Sequence, residues 1–166
     1  MNNIYVRKEN DKVYLIYNDF RVPAIIGKNG FTNDKEEGDM KTPIGEFELG
    51  IAFGKYDSID SKFPYLKIED DMYWVDDITS DDYNELIKTS EKPMFSAEHL
   101  IDYIDDAYEY AIEIKTNPDN IKGKGSAIFL HCIRKEYTAG CVAISKEDMI
   151  HLLKLIDIDT KIIIEG

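Results

Sequence analysis

The chain has 166 residues, 43% of them hydrophobic, and a formal net charge of −13 from 33 acidic and 20 basic side chains. This length fits one domain better than two, so we predict a single domain over residues 1–166 with a sizeable core. The acidic balance argues against a nucleic-acid partner and against adsorption to anionic membranes, and no apolar run approaches the roughly 18 residues of a membrane-inserted helix.

The first third of the chain predicts short β-strands. Three segments are rich in β-branched and aromatic residues and are bounded by Asn, Asp and Gly: NIYVRK, KVYLIY and VPAIIGK. The N-terminus lacks a basic stretch followed by an apolar block, so we expect no secretory signal peptide in this chain. A polar loop from Lys28 to Lys41 precedes a strand at about residues 45–53. The length of this loop makes it a candidate binding loop.

The middle of the chain predicts further strands and one short helix. The segment YLKIEDDMYWVDD is typical of two strands around an Asp-Asp turn, and TSDDYNELIK offers Ser80 as the N-cap of a helix. Asp76 or Asp77 could hold a substrate amine, or the pair could simply form a turn. Two more strands are indicated by the alternation in YEYAIEIK and by the apolar run SAIFLH, which ends at His131.

The last part of the chain predicts a strand, a helix and a final strand. CVAI is a short apolar strand, and the next segment begins with a capping box from Ser145 to Asp148. Helical spacing then puts four apolar side chains on one face: Met149, Leu152, Leu153 and Ile156. KIIIEG predicts a final buried strand.

The segment HCIRKEYTAGC holds the residues best suited to chemistry. A cysteine is a nucleophile only as thiolate, and histidine is the usual base that generates it. If SAIFLH and CVAI are neighbouring strands, the loop between them returns Cys141 beside His131. Small residues before Cys141 allow a sharp bend that brings amide N–H groups near a developing oxyanion. Alternatively, Cys141 is a small buried residue that begins a strand.

Other readings of the cysteines and basic residues stay open. Cys132 should face the core, because successive strand side chains point to opposite faces. A Cys132–Cys141 disulfide and a metal site are weaker alternatives, the latter because the spacing differs from known zinc clusters. We expect His99 and His151 to be structural or solvated. Arg134 could bind a substrate carboxylate or lower the thiol pKa, or it could be a solvated loop residue.

Taken together, these segments resemble the L,D-transpeptidase (YkuD-type) catalytic domain. The resemblance lies in TPIGEF, in a strand that ends in histidine, and in TAGC followed by a short strand and a helix. The family carries a Thr-Pro-x-Gly-x-Phe/Tyr segment and a His…Ser/Thr-x-Gly-Cys signature. Further segments in the expected order extend the match over about residues 22–158, as in a divergent branch with the signature Thr-Ala-Gly-Cys-Val-Ala.

The resemblance implies a mainly β fold, a β-sandwich of two mixed sheets with a few short helices, including a C-terminal helix followed by a final strand. It also implies a cysteine acyl-enzyme that acts on peptidoglycan tetrapeptide stems, without metal or organic cofactor. Such an enzyme releases D-alanine and then forms 3→3 cross-links, or hydrolyses the thioester as an L,D-carboxypeptidase. The expected place of action is the cell envelope or the outside of the cell.

Carried over residue by residue, the resemblance makes Cys141 the nucleophile and His131 its base. The Thr138 hydroxyl would help to orient the histidine, and the N–H groups of Gly140 and Cys141 would bind the oxyanion. As candidate substrate-binding residues we take Arg134, Asp77 and Thr42.

The sequence departs from the commoner family pattern at three positions near these residues. Cys132, Ala139 and Ala143 stand where that pattern has glycine, histidine and arginine. The missing arginine makes Arg134 the expected replacement anchor for substrate.

Alternative functions are a non-catalytic cell-wall-binding module of the same fold, a wall-targeting effector toxin with the same chemistry, and a cytosolic thiol protein such as a redox sensor. The sequence predicts no oligomeric state.

Overall fold

A computed structural model describes residues 2–166, which form fourteen strands and two helical segments. The strands are β1 (Ile4–Glu9), β2 (Lys12–Tyr17), β3 (Phe20–Pro23), β4 (Phe31–Thr32), β5 (Thr42–Pro43), β6 (Gly45–Gly54), β7 (Tyr65–Lys67), β8 (Met72–Val75), β9 (Leu86–Lys88), β10 (Ala97–His99), β11 (Tyr110–Ile114), β12 (Phe129–Cys132), β13 (Val142–Ile144) and β14 (Lys161–Ile164). A 3₁₀ helix spans Leu100–Tyr103, and helix α1 spans Lys146–Leu155.

Most strands belong to one nine-stranded mixed sheet. Its order is β13-β12-β11-β6-β14-β1-β2-β3, and β7 also pairs with β6. Strands β8, β9 and β10 form a separate antiparallel sheet, and β4 pairs with β5. Pairs β12–β13, β1–β14 and β6–β7 are parallel. The expected mainly β fold with mixed sheets, and a C-terminal helix followed by a last strand, is confirmed.

Strand β6 joins the two halves of the large sheet because it changes partners along its length. Residues 45–48 pair with β14, and residues 49–54 pair with β11. Near the change, Gly50 leaves space for the Glu113 carboxylate, since a Cβ on Gly50 would lie 2.3 Å from Glu113 Oε1. The register of β11 shifts at the same place, between Ile112 and Ile114. The half that contains β11, β12 and β13 carries the site described below.

Strand β12 is buried on both faces and separates two apolar clusters. Leu130 and Cys132 belong to the larger cluster, which includes the apolar face of α1. Phe129 belongs to the smaller, aromatic cluster, where its ring lies 4.8 Å from Trp74 and 4.9 Å from Phe53. The alternation of strand side chains therefore divides β12 as predicted, with Cys132 facing the main core.

Helix α1 begins as the sequence predicts. The Asp148 N–H donates to Ser145 Oγ at 3.1 Å, which satisfies one of the free donors of the first turn. The predicted apolar face is buried: Met149, Leu152, Leu153 and Ile156. Within residues 2–166, no helix combines the length and the apolar character needed to cross a membrane.

Two predicted elements differ from the structure. No helix follows Ser80: residues 81–84 form turns, and Leu86–Lys88 is strand β9. Asn84 has φ +62°, which ends any helical run, and β9 pairs with β8 instead. The predicted strand VPAIIGK is also shorter, since β3 ends at Pro23 and the following segment makes only isolated bridges, Ile25 to Ala143 and Gly27 to Thr138.

Candidate active site

The parallel pairing of β12 and β13 brings Cys141 and His131 to one cavity. Register places Leu130 beside Val142, so Cys141 lies next to Phe129 at the start of β13. The Phe129 N–H indeed donates to Cys141 Sγ at 3.3 Å. His131 is two residues beyond Phe129 and faces the same way. Both Cys141 and His131 line this cavity, as the sequence predicts.

The cavity has a volume of about 570 Å³ and is built from three parts of the chain. The polar loop after residue 27 contributes one side, β10 and the segment before β11 contribute a second, and the loop between β12 and β13 contributes the third. Its charged lining residues are Lys35, Glu37, Asp76, Glu98, Arg134 and Lys135.

Cys141 is 9% exposed. Its thiol donates to the Ala127 carbonyl at 3.2 Å and accepts from the Phe129 N–H. Burial is the main reason that the pKa of Cys141 is raised to about 12; the Phe129 N–H and the Lys35 ammonium lower this pKa, and the Glu98 carboxylate raises it. The thiol is therefore protonated at neutral pH in the free protein.

His131 is also buried, and its ring orientation is fixed by a backbone group. Nδ1 lies 2.7 Å from the Cys132 carbonyl, which can only accept, so Nδ1 carries the proton and Nε2 is free to act as a base. Burial lowers the pKa of His131 to about 4. The ring meets Tyr108 edge-on at 5.7 Å. The cavity thus holds a neutral thiol and a neutral imidazole.

The turn before Cys141 is held by Thr138. The Thr138 hydroxyl donates to the Cys141 carbonyl at 2.7 Å and accepts from the Gly140 N–H at 3.0 Å. Thr138 therefore shapes the turn and does not orient the histidine as expected, because the Cys132 carbonyl does so. Of the two expected oxyanion donors, the Gly140 N–H is engaged within the turn. The Cys141 N–H makes no hydrogen bond to any of residues 2–166.

The structure places Thr42 and Asp77, the other two expected substrate-binding residues, away from the cavity. Thr42 is fully buried, and its hydroxyl accepts from the Gly27 N–H at 2.9 Å. Asp77 forms a turn, which was the alternative expectation for this residue. Its carboxylate accepts from Thr79 N–H and Oγ, and these hydrogen bonds hold the pKa of Asp77 below its ordinary value. Neither residue lines the cavity. Asp76 does, and it accepts from Ser96 Oγ at 2.6 Å.

Arg134 lines the cavity from the loop between β12 and β13. Its Nε lies 3.3 Å from Asp106 Oδ2, and its guanidinium lies 5.3 Å from the Tyr103 ring centroid. The side chain is 40% exposed. Arg134 is thus positioned at the solvent side of the cavity, where a substrate carboxylate could replace or share its interaction with Asp106.

Within residues 2–166, the structure shows neither the disulfide nor the group of metal ligands that were alternatives for the two cysteines. Cys132 and Cys141 are free thiols in different apolar clusters, so they form no disulfide. Among residues 2–166, no three His, Cys, Asp or Glu side chains are grouped to hold a metal ion. His99 stacks on Tyr73 at 4.3 Å, and His151 is exposed on α1, in keeping with the expected structural or solvated roles.

Because Cys132 faces the main core, we expect Cys132→Ala to leave the alkylation of Cys141 unchanged. Loss of a small buried group should lower the free energy of unfolding by about 1 kcal/mol. Urea unfolding and mass mapping of the alkylated protein measure both effects. A large loss of Cys141 alkylation with the fold retained would contradict this assignment.

The cavity also contains residues that the sequence analysis did not single out, among them Lys35, Glu37, Glu98 and Tyr108. Glu98 accepts from the Tyr108 hydroxyl. Burial raises the pKa of Glu98 to about 7, assisted by the neighbouring carboxylates of Asp76 and Glu37. Glu37 is fixed by two hydroxyl groups, those of Tyr83 and Ser126, each at 2.6 Å. Only the length of the loop after residue 27 pointed to this side of the cavity.

Comparison with known proteins places this geometry in a family. Residues 2–164 match the family YkuD, described as the L,D-transpeptidase catalytic domain. A search of the curated proteins and a search of the solved structures each found no match. The family match covers nearly the whole of the 166-residue chain and includes both Cys141 and His131. The chain therefore belongs to the L,D-transpeptidase catalytic domain family, and it is an L,D-transpeptidase-type catalytic domain.

Proposed function

We propose that the protein is a peptidoglycan L,D-transpeptidase that acts through a cysteine acyl-enzyme on tetrapeptide stems. The observation that carries the proposal is the placement of Cys141, directly before β13, and His131, on the neighbouring β12, in one cavity. The contact of Nδ1 with the Cys132 carbonyl leaves Nε2 of His131 to act as the base. The family acts on peptidoglycan, so we place the activity in the cell envelope or outside the cell.

The proposed reaction begins with transfer of the thiol proton to Nε2 of His131. The sulfur attacks the carbonyl carbon that precedes D-alanine, and the Cys141 N–H donates to the resulting oxyanion. The carbon–nitrogen bond then breaks, and His131 returns its proton to the leaving amine of D-alanine. The thioester is resolved by the amine of a second stem, which gives a cross-link, or by water, which gives a shortened stem.

The charges around the cavity suit a zwitterionic peptide. Glu37, Asp76 and Glu98 can accept hydrogen bonds from an ammonium group, while Arg134 and Lys135 can bind a carboxylate. Glu37 is the best placed of the three acids to bind a cation, because two hydroxyl donors already fix its orientation and occupy only Oε1.

We expect Glu37→Gln to raise KM for the stem peptide about tenfold with a smaller change in kcat, since a charge-assisted hydrogen bond contributes roughly 1.5–3 kcal/mol. Glutamine keeps an oxygen that can accept from Tyr83 and Ser126, so the loop should hold its shape. Glu36→Gln, in the exposed neighbouring position, is the matched control. Equal KM values for the two variants would remove Glu37 from substrate binding.

The experiment that tests the proposed function uses the wild-type protein and purified disaccharide-tetrapeptides. Intact-protein mass spectrometry should show a stem-peptide adduct that maps to Cys141, with release of D-alanine. Cross-linked dimers among the products would indicate transfer, and tripeptides would indicate hydrolysis. Binding of the tetrapeptide without an adduct or D-alanine release would overturn the enzyme proposal in favour of a non-catalytic wall-binding module.

A further inference from the structure

Lys35 is a nearly buried lysine in the cavity that contains Cys141. Its side chain is 9% exposed, and its ammonium donates to Asp39 Oδ1 at 2.5 Å and to the Lys41 carbonyl at 2.7 Å. The aliphatic part crosses Gly125, where a Cβ would lie 2.9 Å from Lys35 Cγ. The ammonium is therefore held in one position by two acceptors and by close packing.

This fixed ammonium lies against the turn that carries the thiol. A Cβ built on Gly140 would lie only 3.0 Å from Lys35 Nζ, so the glycine permits the close approach. An ammonium has three donors, and Asp39 and Lys41 take two of them. Cys141 is the next residue in the chain, and its sulfur is within the influence of the Lys35 charge.

The site requires positive charge at this place. A buried sulfur cannot become an anion without compensation, and Glu98 opposes ionisation of Cys141. Alanine occupies positions 139 and 143, so the turn itself brings no cation to the sulfur. Arg134 is 40% exposed and paired with Asp106, so solvent weakens its effect. Lys35 is nearly buried, and a charge acts more strongly where water is excluded.

We propose that Lys35 is a positioning residue of the thiol site, whose fixed ammonium stabilises negative charge on the Cys141 sulfur from beside Gly140. The proposal rests on the proposed function to the extent that Cys141 is the nucleophile. Asp39 has the complementary role of holding the ammonium, and its carboxylate also accepts from the N–H groups of Glu36 and Lys41.

Several titratable groups act on the sulfur, and a test must separate Lys35 from them. The others lie on different elements around the cavity: His131 on β12, Tyr108 before β11, Glu98 on β10, and Glu37, Asp76, Arg134 and Lys135 along its lining. The competing explanation is that the Lys35–Asp39 ion pair only stabilises the conformation of the loop that contains both residues. That role would change the melting temperature without changing the reactivity of the thiol.

The test measures the rate of Cys141 alkylation by iodoacetamide against pH in Lys35→Met and Lys35→Arg, each in a Cys132→Ala background. We expect Lys35→Met to raise the thiol pKa by about one unit. The thiolate fraction then falls about tenfold, and the alkylation rate falls about threefold because the more basic thiolate is a better nucleophile. Lys35→Arg keeps the charge and should stay close to the parent protein.

A Lys35→Met profile that overlays the parent profile, with only a lower melting temperature, would overturn the proposal. No peptidoglycan is present, so failure here is distinct from failure of the proposed function.

A second variant keeps the test decisive if Lys35→Met does not fold. Asp39→Asn removes the countercharge while retaining an oxygen that can accept hydrogen bonds. The Lys35 charge then acts on the sulfur without opposition, so alkylation should become faster than in the parent. Slower alkylation in Asp39→Asn would show that the ion pair affects Cys141 only by stabilising the loop and not by charge. That result would overturn the proposal.

Discussion

Cys141→Ala is expected to abolish both the stem-peptide adduct and the release of D-alanine, with the fold retained. Of the two cavity residues proposed for catalysis, Cys141 and His131, only Cys141 carries a sulfur. The second cysteine, Cys132, lies in a separate apolar cluster. The side chain is small and 9% exposed, so its loss removes the proposed nucleophile at a modest cost in stability. Intact-protein mass spectrometry, a D-alanine assay and thermal unfolding measure the three quantities.

The matched control for this prediction is Cys132→Ala, which removes an equally small buried thiol from the opposite face of β12. It should retain the adduct and the D-alanine release. Release of D-alanine by Cys141→Ala at the parent rate would show that another group attacks the substrate, and the acyl-enzyme mechanism would then be wrong.

The second large effect concerns His131. We expect His131→Gln to lower kcat by a factor of about 10² to 10⁴, the usual contribution of a positioned general base. Glutamine fills much of the same space and can donate to the Cys132 carbonyl, but it cannot take the thiol proton. Steady-state kinetics on the tetrapeptide measure the loss. Unchanged kcat with a normal fold would remove His131 from the mechanism.

The same residue predicts a dependence of stability on pH. The pKa of His131 falls from an ordinary 6.5 to about 4 in the folded protein. Between these values the unfolded chain binds more protons, so His131 makes the free energy of unfolding fall as pH drops through this range, by on the order of 3 kcal/mol in total. Above pH 6.5 the histidine is neutral in both states and has no such effect.

Glu98 acts in the opposite direction over an overlapping range, because its pKa is raised from 4.5 to about 7 in the folded protein. The contribution of Glu98 to the free energy of unfolding is therefore lost as pH rises. The difference between parent and His131→Gln isolates the histidine, since Glu98 is common to both. Urea unfolding at several pH values should show the free energy of unfolding of the parent, relative to that of His131→Gln, rising as pH rises towards 6.5 and constant above it. An equal pH dependence in the two proteins would contradict burial of a neutral imidazole.

Local sequence patterns predicted the elements that carry the nucleophile and its base. The apolar run that ends at His131 indicated a central strand, and the Ser145 cap fixes the start of α1 so that its apolar face meets the core. A short apolar segment between Cys141 and that cap then pairs with β12. Each of these features depends on neighbours within a few residues, which is why the sequence alone revealed them.

Contacts between distant segments account for the errors. After Ser80 the local signal favours a helix, but pairing of β9 with β8 and the hydrogen bond from Tyr83 to Glu37 favour turns and a strand. Thr42 lies in a family motif, but its hydroxyl accepts a hydrogen bond from the Gly27 N–H in the interior. Lys35 and Glu98 line the cavity from segments far apart in the chain, and no local pattern distinguishes them from other charged residues of an acidic protein.

The loop between β12 and β13 has two parts, which differ in how tightly they are held to the rest of the protein. Residues 133–137 are exposed, whereas the Thr138 backbone bonds to Ile26 and Lys28, and Gly140 is buried against the Lys41 carbonyl. Substitutions in the first part can therefore alter the solvent side of the cavity while the thiol keeps its position. For protein engineering, residues 133–137 are therefore the part of the loop in which substitutions can alter what the cavity binds without moving the turn that carries Cys141.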